Sequence, residues 1–313
     1  MLPKVKICAS QVKPYEGFIL LCGGPYEEVS STNRPISIRD AIQKVLLSNN
    51  KLRFAEEYKN WAQNSTYSDV ILFEKHLAEL SSTIVLVLES PGSLTELGFF
   101  FAIEKFRKKL LVIVDDSHHE SDSFINLGPI AFLKKENNES LFYKWRKQAQ
   151  SCCCFGLNHR CCCFDPKAVA TIQDELKKDI QRRTQELTPA RTFNPEEWLD
   201  VALLTCDLIG LYSALTVRQL TEILKSLGCK FNESEITQLL FVLKQVSFIT
   251  EKAKGDQRFY ISKTAKEFLE LKITKEPTNT SLDRNRFRVE VLNIYKEKDK
   301  KRWNAIQEVR GTL

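Results

Sequence analysis

The sequence predicts an α/β fold, a parallel sheet wrapped by helices, followed by a smaller helical domain. Three observations carry that prediction. Short, wholly apolar runs alternate with helical patterns between residues 18 and 116. Gly or polar turns follow those runs at their carboxyl ends. From about residue 194 the rhythm changes to helices closed by a hairpin.

Taken in order, "FILLC" (18–22) reads as a buried strand ending at Gly23 and Gly24. "SIRDAIQKVLLSN" has helical spacing, with Ser37 or Asp40 near its start. "RFAEEY" holds a second short strand, and "SDVILFEKHLAELSS" (68–82) a helix capped by Ser68. "TIVLVLE" (83–89) is a central strand, "LTELGFFFAIEKFRK" the helix after it, and "KLLVIVDD" (109–116) the next strand. This spacing predicts a Rossmann-like parallel sheet. Ligands in such sheets sit outside the carboxyl ends of the strands, where Gly23, Gly24, Glu89 and Ser90 fall.

Beyond a Cys-rich segment, "DPKAVATIQDELKKDIQRRTQEL" (165–187) reads as an exposed charged helix and "TPARTFNP" as a linker. "PEEWLDVALLTCDLIGLYS", "TVRQLTEILKSLG" and "NESEITQLLFVLKQVSFI" are three helices, the second closed by Gly228 and the third started by Asn232. A β-hairpin turning at Lys254-Gly255-Asp256 and a final helix through "KEFLEL" complete a winged helix-turn-helix pattern. The expected organisation is a catalytic domain at 1–150, a Cys-rich insertion with its connecting helix at 151–192, a winged helix-turn-helix domain at 193–275 and a basic helical tail at 276–313.

A chain of 313 residues, 43% hydrophobic and 27% charged, is folded and large enough for two domains. The start, "MLPKVKICASQVKPYEG", lacks the apolar core of a signal peptide, and no run approaches the roughly 20 apolar residues of a membrane span. A cytoplasmic protein without membrane contact is expected. A net charge of +6 permits nucleic acid as a partner without requiring it. Six of the ten Cys lie in "SCCCFGLNHRCCCFD", around His159. In a reducing compartment these are free thiols or ligands of a thiophilic metal. The spacing matches no zinc finger, so no metal is assigned. The sequence has no Walker A loop, no HExxH and no G-x-S-x-G.

The chemistry concentrates in "SPGSLTELGFFFA" (90–102). Ser93 and Glu96 have the S-x-x-E spacing of a capping box, in which Glu96 would reach back to a backbone amide. The same Glu stands at a helix start, whose dipole favours an ionised carboxylate, beside the polar turn Ser90-Pro91-Gly92 and the bulk-free Gly98. That setting suits a nucleophile. The two readings do not exclude each other. A glycine pair such as Gly23-Gly24 lets backbone approach a ligand, or simply makes a tight turn.

"GSLTELGFFFA" after an apolar strand resembles the signature of nucleoside deoxyribosyltransferases, which ends in Glu-Leu-Gly or Glu-Ile-Gly around a nucleophilic Glu. Together "LLCGG", "VLESPGSLTELGFFF", "KKLLVIVDD" and "SFINLGPIAFL" resemble the effector proteins of type II-A retrons, which join a deoxyribosyltransferase-like domain to a winged helix. The resemblance implies that Glu96 is the nucleophile. It matches Glu74 to an Asp of the preceding helix that orients nucleophile and base, and Glu89 to a carboxylate that contacts the sugar. Both are Glu here rather than Asp, and the loop before the nucleophile is shorter. Gly23, Gly24, Tyr26, Ser90, Gly92, Ser93 and Asn126 complete the candidate substrate-binding set. Tyr26 either stacks on a base or is a surface aromatic, and Asn126 either contacts ligand, from its own or a neighbouring subunit, or is a turn residue before Gly-Pro.

The implied activity is N-glycosidic cleavage of NAD or a related nucleotide or nucleoside by an antiphage toxin, with NAD as substrate and no cofactor. Departing nicotinamide is already cationic and needs no general acid. The implied partners are the retron reverse transcriptase and its multicopy single-stranded DNA, which hold the effector in check, and an oligomeric state. Lys252, Lys254, Arg258, Arg284, Arg286 and Arg288 offer a basic surface suited to phosphates rather than to base reading. Two other functions fit the same residues: a nucleotide sensor that binds without cutting, and a DNA-binding regulator whose first half is a scaffold.

Overall fold

The computed structural model describes residues 5–26, 35–46, 52–58, 66–115, 122–136, 140–143, 166–184, 189–264, 266–275, 278–281 and 283–311. The Cys-rich segment lies outside them. The chain forms two compact units. One holds Glu16–Glu57 and Leu80–Leu187; the other holds Met1–Tyr15, Tyr58–Glu79 and Thr188–Leu313. Residues from the first half of the chain therefore contribute to the unit built mainly by the second half.

The first unit is a five-stranded, all-parallel sheet. Its elements run β1 (Phe18–Cys22), α1 (Ile38–Leu46), β2 (Leu52–Arg53), then, after helix α2 (Val70–Leu80), β3 (Ser81–Val87), α3 (Pro91–Ala102), β4 (Leu110–Asp115), β5 (Ser140–Tyr143) and α4 (Pro166–Thr184). The strand order is β2-β1-β3-β4-β5. Strands covered on both faces read as unbroken apolar runs. Accordingly every residue of β1 and β4 is buried. One face carries Ile19, Leu21, Val85, Val87, Leu111 and Ile113, which join Ile38, Ala41 and Ile42 of α1 and Leu176 and Ile180 of α4 in one core cluster. Helix α4 was expected to be simply exposed and charged. Its Leu176–Ile180 stripe, one turn apart, is instead buried against that core, and Tyr143 donates to Asp179 on its edge.

Two further expectations shift. The central strand spans 81–87 rather than 83–89, and α3 starts at Pro91, because Pro is well suited to the first helical position and leaves extended Ser90 as the cap. Helix α2 is capped by Asp69, which accepts from the Leu72 amide at 2.7 Å, and not by Ser68, whose hydroxyl donates to Asp69 at 3.0 Å.

The second unit centres on α5 (Trp198–Tyr212), a helix buried on nearly every side. Around it stand α6 (Val217–Ser226), α7 (Glu233–Gln245) and the hairpin β6 (Ile249–Lys254) and β7 (Gln257–Ser262), followed by α8 (Arg284–Lys298) and α9 (Lys300–Arg310). Gly255 turns the hairpin at φ +63°, a left-handed conformation that favours glycine. The helix expected through "KEFLEL" does not form. Leu269–Glu270 is a strand paired with Gln11–Val12, and Lys272–Lys275 pairs with Thr278–Ser281. The buried Asp207 carboxylate accepts the Phe268 and Leu269 amides at 3.0 and 2.9 Å, fixing them in extended backbone. Among the described residues no helix is long and apolar enough to cross a membrane.

Candidate active site

In a sheet of this order the strand sequence reverses between β1 and β3, and ligands of such sheets bind outside the carboxyl ends of the strands at that point. The residues there come from four stretches. These are Gly23 and Gly24 after β1, Arg39 at the start of α1, Phe54 and Glu56 after β2, and Glu89 to Glu96 after β3.

Helix α3 is capped within its first turn. Ser90 Oγ accepts from the Ser93 amide at 3.2 Å, and Ser93 Oγ accepts from the amides of Ser90 and Glu89 at 3.1 and 3.2 Å. The capping box is therefore Ser90–Ser93, one turn earlier than the S-x-x-E pattern suggested, and Glu96 takes no part in it. Both hydroxyls serve the backbone. Glu96 Oε2 is correspondingly unclaimed: it is buried and has no hydrogen-bond partner among the described residues. Burial pushes the Glu96 pKa up to about 7, against the opposing pull of the Arg39 guanidinium and with a further push from Glu56. A carboxylate shifted toward neutrality at the carboxyl end of a parallel sheet is the pattern expected of a functional group.

Glu89 is built differently. Its Oε1 accepts from the amides of Gly24 and Arg39 at 3.1 and 3.0 Å, and its Oε2 from that of Ile38 at 2.9 Å. Burial raises its pKa, with the three amides opposing. The carboxylate thus satisfies the start of α1 and ties it to the glycine pair and to β3. This explains Gly24, where a Cβ would lie 2.8 Å from Glu89 Cγ. The amide of Gly24, expected to face a ligand, is already bonded to Glu89. At Gly23 a Cβ would lie 3.0 Å from Val87 Cβ, so close packing also accounts for that glycine.

Two groups the sequence did not single out complete the cluster. Arg39 is 2% exposed and makes a double ion pair with Glu56, both bonds at 2.6 Å. Its guanidinium lies 4.9 Å from the Tyr26 ring centre and 5.2 Å from that of Phe54. Tyr26 stacks on Phe54 with centroids 4.8 Å apart, so one of its faces is covered from within the chain. The available signal was a charged residue inside the apolar pattern "SIRDAI".

The other candidates are dispersed. Gly92 is exposed at the α3 start, and Gly98 is exposed with open space where a side chain would stand. Asn126 is half-buried in a π-helical turn, Asn126–Ile130. Glu74 lies on α2, in the part of that helix grouped with the other unit. The six basic candidates all have partners within the second unit. Lys252 and Lys254 pair with Glu308, Arg258 with Glu251 and Arg286 with Glu290. Arg284 pairs with Asp207 at 2.6 Å, and Arg288 donates to the Gly210 carbonyl at 3.2 Å. Arg284, 11% exposed, is thus largely engaged within its own unit.

The model of the STM3845 retron effector protein family matches residues 35–251, well over half of the chain. The chain belongs to that family. This retron effector is 28% identical over 229 residues to the Escherichia coli protein named "Retron Ec73 putative ribosyltransferase/DNA-binding protein", a match covering 71% of this chain and 68% of that one. It is 44% identical over 72 residues to the Escherichia coli "Retron Ec86 putative ribosyltransferase/DNA-binding protein", covering 23% and 24%. The family match takes in Arg39, Glu56, Glu89 and Glu96.

Proposed function

We propose that this retron effector cleaves the N-glycosidic bond of NAD or a related nucleotide or nucleoside, with Glu96 as nucleophile. The observation that carries the proposal is the Glu96 carboxylate: its Oε2 is buried, without a hydrogen-bond partner among the described residues, and excluded from the helix cap beside it. A buried polar atom without a partner is rare enough to need a reason, and a substrate supplies one. The names of the two relatives, which speak of ribosyl transfer, support the same class of reaction.

In the proposed reaction an ionised Glu96 oxygen attacks the anomeric carbon as the bond to the base breaks and its electron pair leaves with the base. For NAD the leaving group is nicotinamide, which departs neutral because its ring nitrogen began positively charged. Water then attacks the glycosyl ester, giving the free sugar hydroxyl, returning the carboxylate and releasing a proton. The helical second unit is proposed to be a winged-helix domain that docks on the reverse transcriptase–DNA complex. That complex would hold a toxic activity in check until phage infection. Docking through shape and protein contact fits cations that already have partners better than sequence reading does.

Full-length effector, alone and with its retron complex, is incubated with NAD, nucleosides and nucleotides, and the released base is quantified. Base release by the wild type and a loss of roughly 10³-fold in Glu96→Gln, with folding retained, is the expected result. Ligand binding without base release would instead identify a sensor.

A further inference from the structure

Arg39 and Glu96 come from different helices, α1 and α3, of the same unit. Each holds one buried side-chain atom without a hydrogen-bond partner among the described residues, Arg39 Nε and Glu96 Oε2. The remainder of the guanidinium is fixed. Two nitrogens bind Glu56, one of them also donates to the Gly24 carbonyl at 3.2 Å, and the group lies against the Tyr26–Phe54 stack. The backbone amide of Arg39 is held as well, by Glu89 at 3.0 Å. Few side chains are anchored from so many directions. Arg39 forms its ion pair with Glu56 and not with Glu96, yet its charge acts on Glu96.

We propose that Arg39, clamped by Glu56 and the Tyr26–Phe54 stack, is a positioning residue that presents a fixed cation to the Glu96 carboxylate without pairing with it. The physical sense lies in that separation. A carboxylate bonded directly to a guanidinium is ionised but blunted as a nucleophile. One left alone in a buried site stays protonated. A cation nearby and tied elsewhere favours the charged form and leaves the oxygen free to attack. Glu56 has two opposed effects: it holds the cation in place, and its own negative charge disfavours ionisation of Glu96. Among the described residues, the charges that act on Glu96 are thus Arg39 on α1 and Glu56 after β2. This inference rests on the glycosidase reading of Glu96 for its meaning, but its test does not depend on turnover.

Full-length effector is labelled with carboxyl-¹³C glutamate, and the Glu96 resonance, identified by its loss in Glu96→Gln, is followed against pH. Arg39→Gln is expected to move the Glu96 midpoint up by about one pH unit, and Glu56→Gln to move it down. Arg39→Lys keeps the charge and should stay near the wild type. The acid limb of base release should move in the same directions. A general packing role for the pair would lower activity without moving the midpoint in opposite senses. A midpoint unmoved in both Gln variants overturns the proposal. If Arg39→Gln does not fold, Arg39→Met, which keeps an aliphatic stem against the Tyr26–Phe54 stack, decides: a midpoint unchanged or lowered rejects the assignment. Failure of the wild type to release any base, with opposed shifts still seen, rejects the glycosidase reading and leaves the Arg39 assignment standing.

Discussion

Buried carboxylate oxygens occur in both units of this effector, and Asp200 and Asp207 of the helical unit are held very differently from Glu96 of the α/β unit. In the helical unit, Asp207 is 2% exposed and accepts from two backbone amides and from Arg284, while Asp200 is fully buried and accepts from Arg191 and the Asn194 amide. In the α/β unit, Glu96 keeps a buried oxygen without a hydrogen-bond partner among the described residues. The first treatment is that of a structural charge, for which a buried ion needs compensation from every side. The second suits a group whose partner comes from outside the chain. The α/β unit contains its own control: Glu89, seven residues before Glu96, is fully engaged with backbone amides. Neighbouring acidic residues at one end of the sheet thus separate into a tether and a candidate reagent.

The largest consequence of that contrast lies in the helical unit. Asp207→Asn exchanges an acceptor oxygen for an amide group facing backbone donors and leaves Arg284, 11% exposed, with only its longer ion pair to Glu267 at 3.7 Å. Removing one partner of a buried pair typically costs about 3–5 kcal/mol. Chemical denaturation should show a loss of that size, and it should include the extended segment around Phe268 and Leu269. A loss under about 1 kcal/mol would place Asp207 among surface-like charges and erase the distinction drawn here.

Glu96 should behave with the opposite sign. Its pKa is raised from 4.5 to about 7 by burial, so between those values the folded protein binds more protons than the unfolded chain. Stability then falls as pH rises through that window. Glu96→Gln removes the charge that burial disfavours. The variant is expected to be more stable than wild type by up to about 3 kcal/mol at pH 8 and to match it near pH 4, as measured by denaturation across the range. Destabilisation by the same substitution at all pH values would mean that the carboxylate is structural after all. A variant stabilised yet inactive would be the signature of a group retained for its chemistry.

The apolar strands could be read from the sequence because both faces of the sheet are covered, so β1 and β4 carry no polar interruption. The nucleophile candidate was readable for a local reason, a strand's end leading into a capped helix. What escaped depended on distant partners. The segment after the hairpin has helical composition, yet Asp207, 61 residues before Phe268, captures its amides and holds it extended. Strand β5 is only four residues long. Arg39 and Glu56 stand 17 residues apart on separate elements and meet only once the sheet forms. The basic residues of the second unit could be counted from the sequence, but the carboxylates they face could not. Charge composition alone suggested an open surface where the fold makes ion pairs.

The smallest expected effect tests the local geometry on which the status of Glu96 depends. With Ser90 as the cap of α3, Ser90→Ala removes the acceptor for the Ser93 amide and should cost about 1 kcal/mol. Because Ser93 Oγ still accepts from the amides of Glu89 and Ser90, the helix should remain formed and the loss should stay near that figure. The cost should be nearly independent of pH, since no ionisable group belongs to the box. Had Glu96 been the capping partner, the pH dependence would fall on the helix start, and Ser90→Ala would be close to neutral. Thermal melts of Ser90→Ala and Glu96→Gln at pH 5 and pH 8 therefore separate the two geometries. A flat loss in the first and a pH-dependent gain in the second is the pattern that leaves the carboxylate free for substrate.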